Sequence, residues 1–106
     1  MRMRWRCPAF WALAIFAGAA MAGAVVPIAI SDLVFSPAEI TVKVGDTVEW
    51  TNDDFVDHTA TATDGEWDVA IPSGKSVTQQ MTKAGTITYF CRVHPGMTGK
   101  IHVVNN

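Results

Sequence analysis

Three side chains that can bind a transition metal lie close together near the C-terminal end of the sequence. In the stretch CRVHPGM, residues 91–97, a thiol, an imidazole and a thioether recur at every third position as Cys91, His94 and Met97. A deprotonated thiol and a neutral imidazole are strong ligands for borderline or soft transition metals, and a thioether is a weak, soft one. A proline and two glycines within 95–99 restrict the loop. The pattern predicts a metal site of fixed geometry.

A further ligand has to come from a distant part of the chain, and His58 is the candidate. It begins a β-prone run after a loop, where a side chain can reach one end of a sheet. The alternative, His102, points outward in the last predicted strand because side chains alternate along a strand. Two histidines, a cysteine and a distant methionine form the trigonal site that holds electron-transfer copper. Structural zinc sites use thiolates and histidines without methionine, so the thioether favours copper over zinc.

Each of these residues also has an ordinary explanation when it is taken alone. Free cysteines are often buried in cores, and Cys91 shares a predicted strand face with two apolar residues. His94 alone would be a loop histidine, and Met97 alone would fill the core. The equal spacing of three soft ligands at the end of a predicted strand is what favours a metal site.

The N-terminal segment, residues 1–24, has the composition of a secretory signal peptide. Three arginines fall within the first six residues, an uncharged alanine-rich run follows, and the segment ends in Ala-Gly-Ala. This pattern predicts a leader cleaved after Ala24 and one exported domain, residues 25–106. The alternative is an uncleaved membrane anchor, since the run approaches the roughly 20 residues that span a bilayer. In both cases the positive flank stays inside and the folded domain is exported.

The cysteine count and the charge of the predicted domain limit its function. Removal of the leader removes Cys7 and leaves Cys91 as the single cysteine. A lone thiol in an oxidising compartment is reactive unless something occupies it, which favours a metal. The domain has five basic residues against ten acidic ones, so it lacks the basic patch that nucleic-acid binding needs. Its negative charge suits pairing with a basic partner protein.

Residues 25–106 contain short alternating runs separated by Gly, Pro, Asn and Asp, which predict strands rather than helices. The clearest runs, 39–44 and 47–52, are separated only by Gly-Asp. They predict a hairpin in which Val48 and Trp50 point inward. Seven or eight such strands in one small domain predict an all-β fold, an antiparallel β-sandwich.

The combined pattern resembles the cupredoxins, the type 1 blue copper proteins, over nearly the whole predicted domain. The residues that carry the resemblance are GDTVEWTN at 45–52, His58, residues 85–89, Cys91, His94, Met97 and Gly99. The two-residue spacings on both sides of His94 are most similar to the amicyanin group of the family. One position departs from the pattern. Many members follow the first histidine with an asparagine that tethers the ligand loop, and this chain has Thr59.

The resemblance implies a Greek-key sandwich and a one-electron carrier that holds one type 1 copper ion and cycles between Cu(II) and Cu(I). It implies ligation by His58, Cys91 and His94, with Met97 axial, and an apolar surface around the edge of His94. It also implies redox proteins in the periplasm as partners, with an amine dehydrogenase as electron donor and a c-type cytochrome as acceptor.

Three other functions fit the sequence less well. A copper enzyme needs more metal ligands than the three histidines supply, so we expect no enzyme. A copper storage or delivery module tends to have an open site rich in methionine or histidine. Apart from Met97 the domain has only Met81, which alternation places in the core. Residues 52–57 hold three aspartates but lack the glutamate of a calcium loop, and they predict a solvated acidic loop.

Overall fold

The computed structural model describes residues 23–106, and these residues form nine β-strands. The strands are β1 (Val25–Ser31), β2 (Val34–Ser36), β3 (Glu39–Lys43), β4 (Thr47–Asn52), β5 (His58–Ala62), β6 (Asp68–Ile71), β7 (Ser76–Gln80), β8 (Gly85–Phe90) and β9 (Thr98–Val104). In this part of the chain no helix is long and apolar enough to cross a bilayer. Residues 1–22 of the predicted leader lie outside the described residues, so the leader stays a prediction.

The strands form two sheets that pack face to face. One sheet has the order β2-β1-β4-β7, and the other has the order β3-β9-β8-β5-β6. The predicted all-β sandwich is therefore confirmed. The sheets are mixed rather than purely antiparallel, because β1 runs parallel to β4 and β3 runs parallel to β9. Alternation predicts which residues face inward, but it carries no information on the direction of the neighbouring strand.

The predicted hairpin between 39–44 and 47–52 is wrong. β3 pairs with β9, whereas β4 pairs with β1 and β7 in the other sheet. The turn between them crosses from one sheet to the other. Gly45 adopts a φ of +99° there, which favours glycine. The carboxylate of Asp46 accepts the backbone N–H groups of Lys43 and Ala24. A sheet crossing and a hairpin look alike in sequence, since both need a tight turn between strands with one buried face.

An aromatic cluster occupies the core between the sheets. The predicted inward residues Val48 and Trp50 are fully buried. The ring of Tyr89 packs edge-on against Phe35 and Trp50, with centroids 4.7 and 5.6 Å apart. The indole N–H of Trp50 donates to the Tyr89 hydroxyl at 3.3 Å, and burial raises the pKa of Tyr89 to about 12. Gly99 lies against this ring so closely that a Cβ there would come within 2.3 Å of it.

The five-stranded sheet brings the predicted ligands to one end of the sandwich. β5 and β8 are antiparallel neighbours, with Ala62 opposite Tyr89 and Thr61 opposite Phe90. The start of β5 and the end of β8 therefore lie at the same end of the sheet. His58 opens β5 and Cys91 directly follows β8, so the fold places both residues at that end.

Candidate metal centre

Three of the four predicted ligands converge in the structure. The Sγ atom of Cys91 lies 3.7 Å from Nδ1 of His58 and 3.9 Å from Nδ1 of His94. One ligand atom from each residue lies within 4.8 Å of the others. Met97, the last residue of the loop, is 5% exposed and packs in the core. His102 lies apart on the outer face of the sheet, where its ring contacts Glu39 and Thr86.

The donor distances fit a trigonal metal ion. Bonds of about 2.0 Å to imidazole nitrogen and about 2.3 Å to sulfur, set about 120° apart, separate each nitrogen from the sulfur by about 3.7 Å. The observed separations of 3.7 and 3.9 Å agree with this value. A donor set of one thiolate and two imidazoles with a methionine nearby is the ligand chemistry of a type 1 copper site.

His58 is buried and held at both ring nitrogens. Its exposed fraction is 1%. Nε2 lies 2.8 Å from Oδ2 of Asp54, and a carboxylate can only accept there, so the ring hydrogen is on Nε2. This tautomer leaves the lone pair of Nδ1 directed at Cys91. A carboxylate behind a ligand histidine fixes the ring orientation and strengthens the nitrogen as a donor.

Asp54 connects His58 to the turn between β1 and β2. Its Oδ1 accepts the backbone N–H of Asp32 at 2.7 Å, and its Oδ2 accepts that of Leu33 at 3.0 Å. The N–H of Leu33, with smaller contributions from His58 and Asp32, holds the pKa of the Asp54 carboxyl below its usual range. Asp32 and Leu33 have φ angles of 54° and 62°, a left-handed conformation that is uncommon for leucine.

The solvated acidic loop predicted at 52–57 is therefore wrong at Asp54, and also at Asn52, which is fully buried. Asp54 is a structural carboxylate, because it accepts hydrogen bonds from His58 and from the adjoining turn. Sequence reasoning missed this role. The separation of four residues between Asp54 and His58 was the available signal, but it lies across a loop and follows neither strand nor helix periodicity.

Cys91 is fully buried, and its surroundings favour the thiolate. Burial alone raises the pKa of a thiol. Here the backbone N–H of Thr59 donates to Sγ at 3.4 Å. Together with the imidazole and the backbone of His94, this bond outweighs the effect of burial and lowers the pKa of Cys91 to about 6. At neutral pH the metal-free site therefore presents a deprotonated sulfur, the form that binds metal.

The ligand loop, residues 91–97, folds on itself through two backbone hydrogen bonds. The N–H of Cys91 donates to the carbonyl oxygen of Met97 at 3.1 Å, and the N–H of Met97 donates to the carbonyl oxygen of His94 at 2.8 Å. These bonds restrict the relative positions of Cys91, His94 and Met97.

The tether at the family's asparagine position is present in a different form. The side-chain oxygen of Thr59 accepts the backbone N–H of Arg92 at 2.8 Å. Since Arg92 follows Cys91 directly, this bond attaches the ligand loop to β5 at the residue next to His58. A hydroxyl therefore makes a bond that the resemblance assigns to an amide.

Exposed apolar side chains surround this end of the sandwich. His94 is half-buried, unlike His58. In the loop before His58, Phe55 is 99% exposed and Val56 is half-exposed, and Val93 is exposed in the ligand loop. The apolar surface expected here is thus provided by the ligand loop and by the loop that precedes His58.

Comparison with known proteins agrees with the fold. A family model described as a cupredoxin-like domain matches residues 7–103. The chain belongs to the cupredoxin-like family. The match begins inside the predicted leader, so it does not test the domain boundary at residue 24.

The relatives of this cupredoxin include amicyanins and plastocyanins. It is 33% identical to amicyanin from Paracoccus denitrificans over 94 residues, which cover 83% of this chain and 72% of the relative. It is 34% identical to the chloroplastic plastocyanin of Tetradesmus obliquus, over 67% of this chain and 59% of the relative.

Solved structures give the same assignment. A reduced-state amicyanin mutant superposes with a TM-score of 0.66 at 30% identity, over 74% of this chain and 81% of the other. A purple cupredoxin from Nitrosopumilus maritimus superposes with a TM-score of 0.66 at 26% identity, over 74% and 98% of the two chains.

Proposed function

We propose that this cupredoxin is an exported type 1 copper protein that transfers single electrons by cycling between Cu(II) and Cu(I), as in the amicyanin group. His58, Cys91 and His94 are the equatorial ligands and Met97 is the axial ligand. The observation that carries the proposal is the buried Cys91 sulfur with two imidazole nitrogens at 3.7 and 3.9 Å. Copper supplies the one-electron chemistry, and the chain supplies a site whose geometry is fixed.

The protein contributes rigidity on one side of the site and access on the other. His58 is locked by the Asp54 carboxylate, and the sulfur is held by the N–H of Thr59. A ligand set that is fixed before the ion binds changes little between the two oxidation states, which favours fast electron transfer. His94 is the only one of the four proposed ligands that is not buried, so its ring is the expected path for electrons to and from a partner.

The proposed partners are redox proteins, with an amine dehydrogenase as donor and a c-type cytochrome as acceptor. The similarity to amicyanins supports this choice. The apolar side chains of Phe55, Val56 and Val93 suit a brief contact with little polar desolvation. Transient redox complexes typically have small interfaces, and the acidic composition of the domain favours a partner with basic residues around its contact surface.

Export to the periplasm rests on the leader pattern of residues 1–24, and an uncleaved leader would retain the domain at the membrane. The proposed cleavage after Ala24 removes two contacts. The N–H of Ala24 donates to Asp46, and its carbonyl oxygen accepts the N–H of Thr47. Mass spectrometry of the secreted protein measures the boundary. A mature chain that begins a few residues before Val25 would retain both contacts.

Optical spectroscopy tests the electron-transfer proposal. Cu(II) bound by the Cys91 thiolate is expected to give an intense blue or purple colour through charge transfer from sulfur. The variant Cys91→Ser should be almost colourless, and Cys7→Ser, the matched change in the predicted leader, should leave the colour unaltered. A pale native protein with Cu(II) bound would overturn the proposal.

The burial of Cys91 and His58 argues against a copper storage or delivery module. Such a protein has to release its ion to a partner, and the sulfur of Cys91 and the ring of His58 are both almost fully buried. We expect slow removal of Cu(I) by a competing chelator, on a timescale of hours. Removal within seconds would favour delivery over electron transfer.

A further inference from the structure

We propose that Thr61 and Asp68 are positioning residues for the Cys91 thiolate, acting through a closed ring of hydrogen bonds with Thr59 and Arg92. The inference rests on the proposed copper function. The backbone N–H of Arg92 donates to Oγ1 of Thr59 at 2.8 Å, and that oxygen lies 2.9 Å from Oγ1 of Thr61. The Thr61 hydroxyl donates to Oδ1 of Asp68 at 2.7 Å, and Nε of Arg92 returns to the same oxygen at 3.2 Å.

The backbone N–H of Arg92 and the carboxylate of Asp68 fix the direction of every bond in the ring. A backbone N–H can only donate, and a carboxylate can only accept. Each threonine hydroxyl between them has one hydrogen to give. Thr61 gives its hydrogen to Asp68, so Thr59 must donate to Thr61 and accept from Arg92. All four groups are satisfied in this one arrangement.

The charge of Asp68 strengthens the hydrogen bond between the Arg92 amide and the Thr59 hydroxyl. Hydrogen bonds in a chain polarise one another. A negative acceptor for the Thr61 hydrogen makes the Thr61 oxygen a better acceptor for Thr59, and this makes Thr59 a better acceptor for the amide of Arg92. The ion pair between Arg92 and Asp68 contributes little energy by itself, because both side chains are half-exposed. Its value is in orienting the carboxylate.

Strand pairing places the members of the ring where they can act on the sulfur. Thr61 and Asp68 are cross-strand neighbours in β5 and β6. Thr59 is 4% exposed and donates its own N–H to the sulfur at 3.4 Å, and Arg92 is joined to Cys91 by a peptide bond. The ring therefore holds the N–H of Thr59 within hydrogen-bond distance of the Cys91 sulfur.

Loss of a hydrogen bond from the ring should lower the reduction potential of the copper site. An N–H that donates to the sulfur stabilises the more negative, reduced state of the site. Hydrogen bonds around a ligand tune a metal centre in this way. If the Thr59 and Arg92 backbones separate, the N–H···S bond lengthens, and the reduced state loses part of that stabilisation. A group that only stabilised the fold would leave the potential unchanged.

The test compares Thr61→Val with Thr63→Val. Both changes remove a threonine hydroxyl, one from β5 and one from the turn that follows it, but the Thr63 hydroxyl is bonded to Thr88, outside the ring. Hydrogen exchange by NMR on the metal-free protein measures the amide of Arg92. We expect exchange there to rise about five- to ten-fold in Thr61→Val, the effect of one net hydrogen bond. Thr63→Val should leave it unchanged.

The second measurement is the reduction potential of the copper protein. It should fall in Thr61→Val, return toward the native value in Thr61→Ser, which restores a hydroxyl, and stay native in Thr63→Val. Asp68→Asn should raise Arg92 exchange by a smaller factor, since it keeps the shape but removes the charge. Glu66→Gln, at an exposed residue paired with Lys83, is the control for loss of one negative charge.

The outcomes separate this inference from the proposed function. Equal Arg92 exchange in Thr61→Val and Thr63→Val would overturn the ring, whether or not the native protein is coloured with copper. Faster exchange with an unchanged potential would overturn its effect on the sulfur. A colourless native protein would instead overturn the proposed function, and the exchange measurement, made without metal, would still decide whether the ring holds the loop.

Discussion

The two histidines of the candidate metal centre are held in different ways. His58 belongs to a strand, is 1% exposed, and has a carboxylate behind its ring. His94 belongs to a loop and is half-buried. In the part of the chain that the structure describes, its ring contacts Cys91 through Nδ1 and has no hydrogen-bond partner at Nε2. One imidazole therefore forms the rigid side of the site, and the other forms the side that a partner protein can approach.

The largest expected effect that sharpens this comparison comes from deleting each ring in turn. His94→Gly should open a path from solvent to the metal, so millimolar imidazole added with Cu(II) should restore an intense colour. His58→Gly should leave a closed cavity beside β5 that added imidazole enters poorly, and the colour should remain weak. Titration of both variants with imidazole, followed by absorbance, measures the difference. Equal recovery in both would show that burial does not distinguish the two histidines.

A smaller effect is expected when only the support of His58 is changed. Asp54→Asn removes the charged acceptor at Nε2 and weakens two bonds to the β1–β2 turn. Loss of such a partner typically lowers metal affinity by about 10- to 100-fold. Competition with a copper chelator measures this loss. Asp53→Asn is the matched control, because it makes the same change at an exposed neighbour in the same loop. Equal affinities in the two variants would contradict a role for Asp54.

The smallest expected effect concerns the group that both histidines face. The pKa of Cys91 is about 6 in the folded, metal-free protein against an ordinary value of 9.0. Between these two pH values the unfolded thiol holds a proton that the folded site has released, so the free energy of unfolding should rise with pH. This stability is present above about pH 9 and is lost as the pH falls through about 6.

Urea denaturation of the metal-free protein at pH 6, 7 and 8 measures that slope. Cys91→Ser is the control, because its hydroxyl does not titrate in this range while every other group is unchanged. A native protein that shows the same pH dependence as Cys91→Ser would mean that the folded site does not stabilise the thiolate.

The convergence of Cys91 and His94 and the inward faces of the strands could be predicted because they depend on spacing. Cys91, His94 and Met97 repeat at equal intervals, and the alternation around Trp50 indicates one buried face. Strand partners could not be predicted in the same way. The turn at Gly45 looks like a hairpin in sequence, but it joins strands of two different sheets. A sheet crossing differs from a hairpin because each strand pairs in parallel with a distant strand, and the sequence near the turn does not indicate such pairing.

The support of the site could not be predicted for a related reason. Asp54 and Thr59 act through side-chain hydrogen bonds, and such bonds have no periodicity. Composition even pointed the wrong way at Asp54, since three aspartates in a short loop suggest solvent exposure. At Thr59 the change from the family's usual asparagine was visible in the sequence. Its effect depended on whether the shorter hydroxyl could still reach the N–H of Arg92, which only coordinates reveal.

The two internal hydrogen bonds of the ligand loop have a consequence for protein engineering. Two hydrogen bonds join residues 91–97 among themselves, and the loop is hydrogen-bonded to the rest of the fold through Thr59 and Asp68. The loop is therefore a module that can be exchanged. A longer loop from another cupredoxin, grafted between β8 and β9, should fold on the same scaffold as long as its residue after the cysteine can donate an N–H to Thr59. Loop length and scaffold can then be varied separately in the design of copper sites.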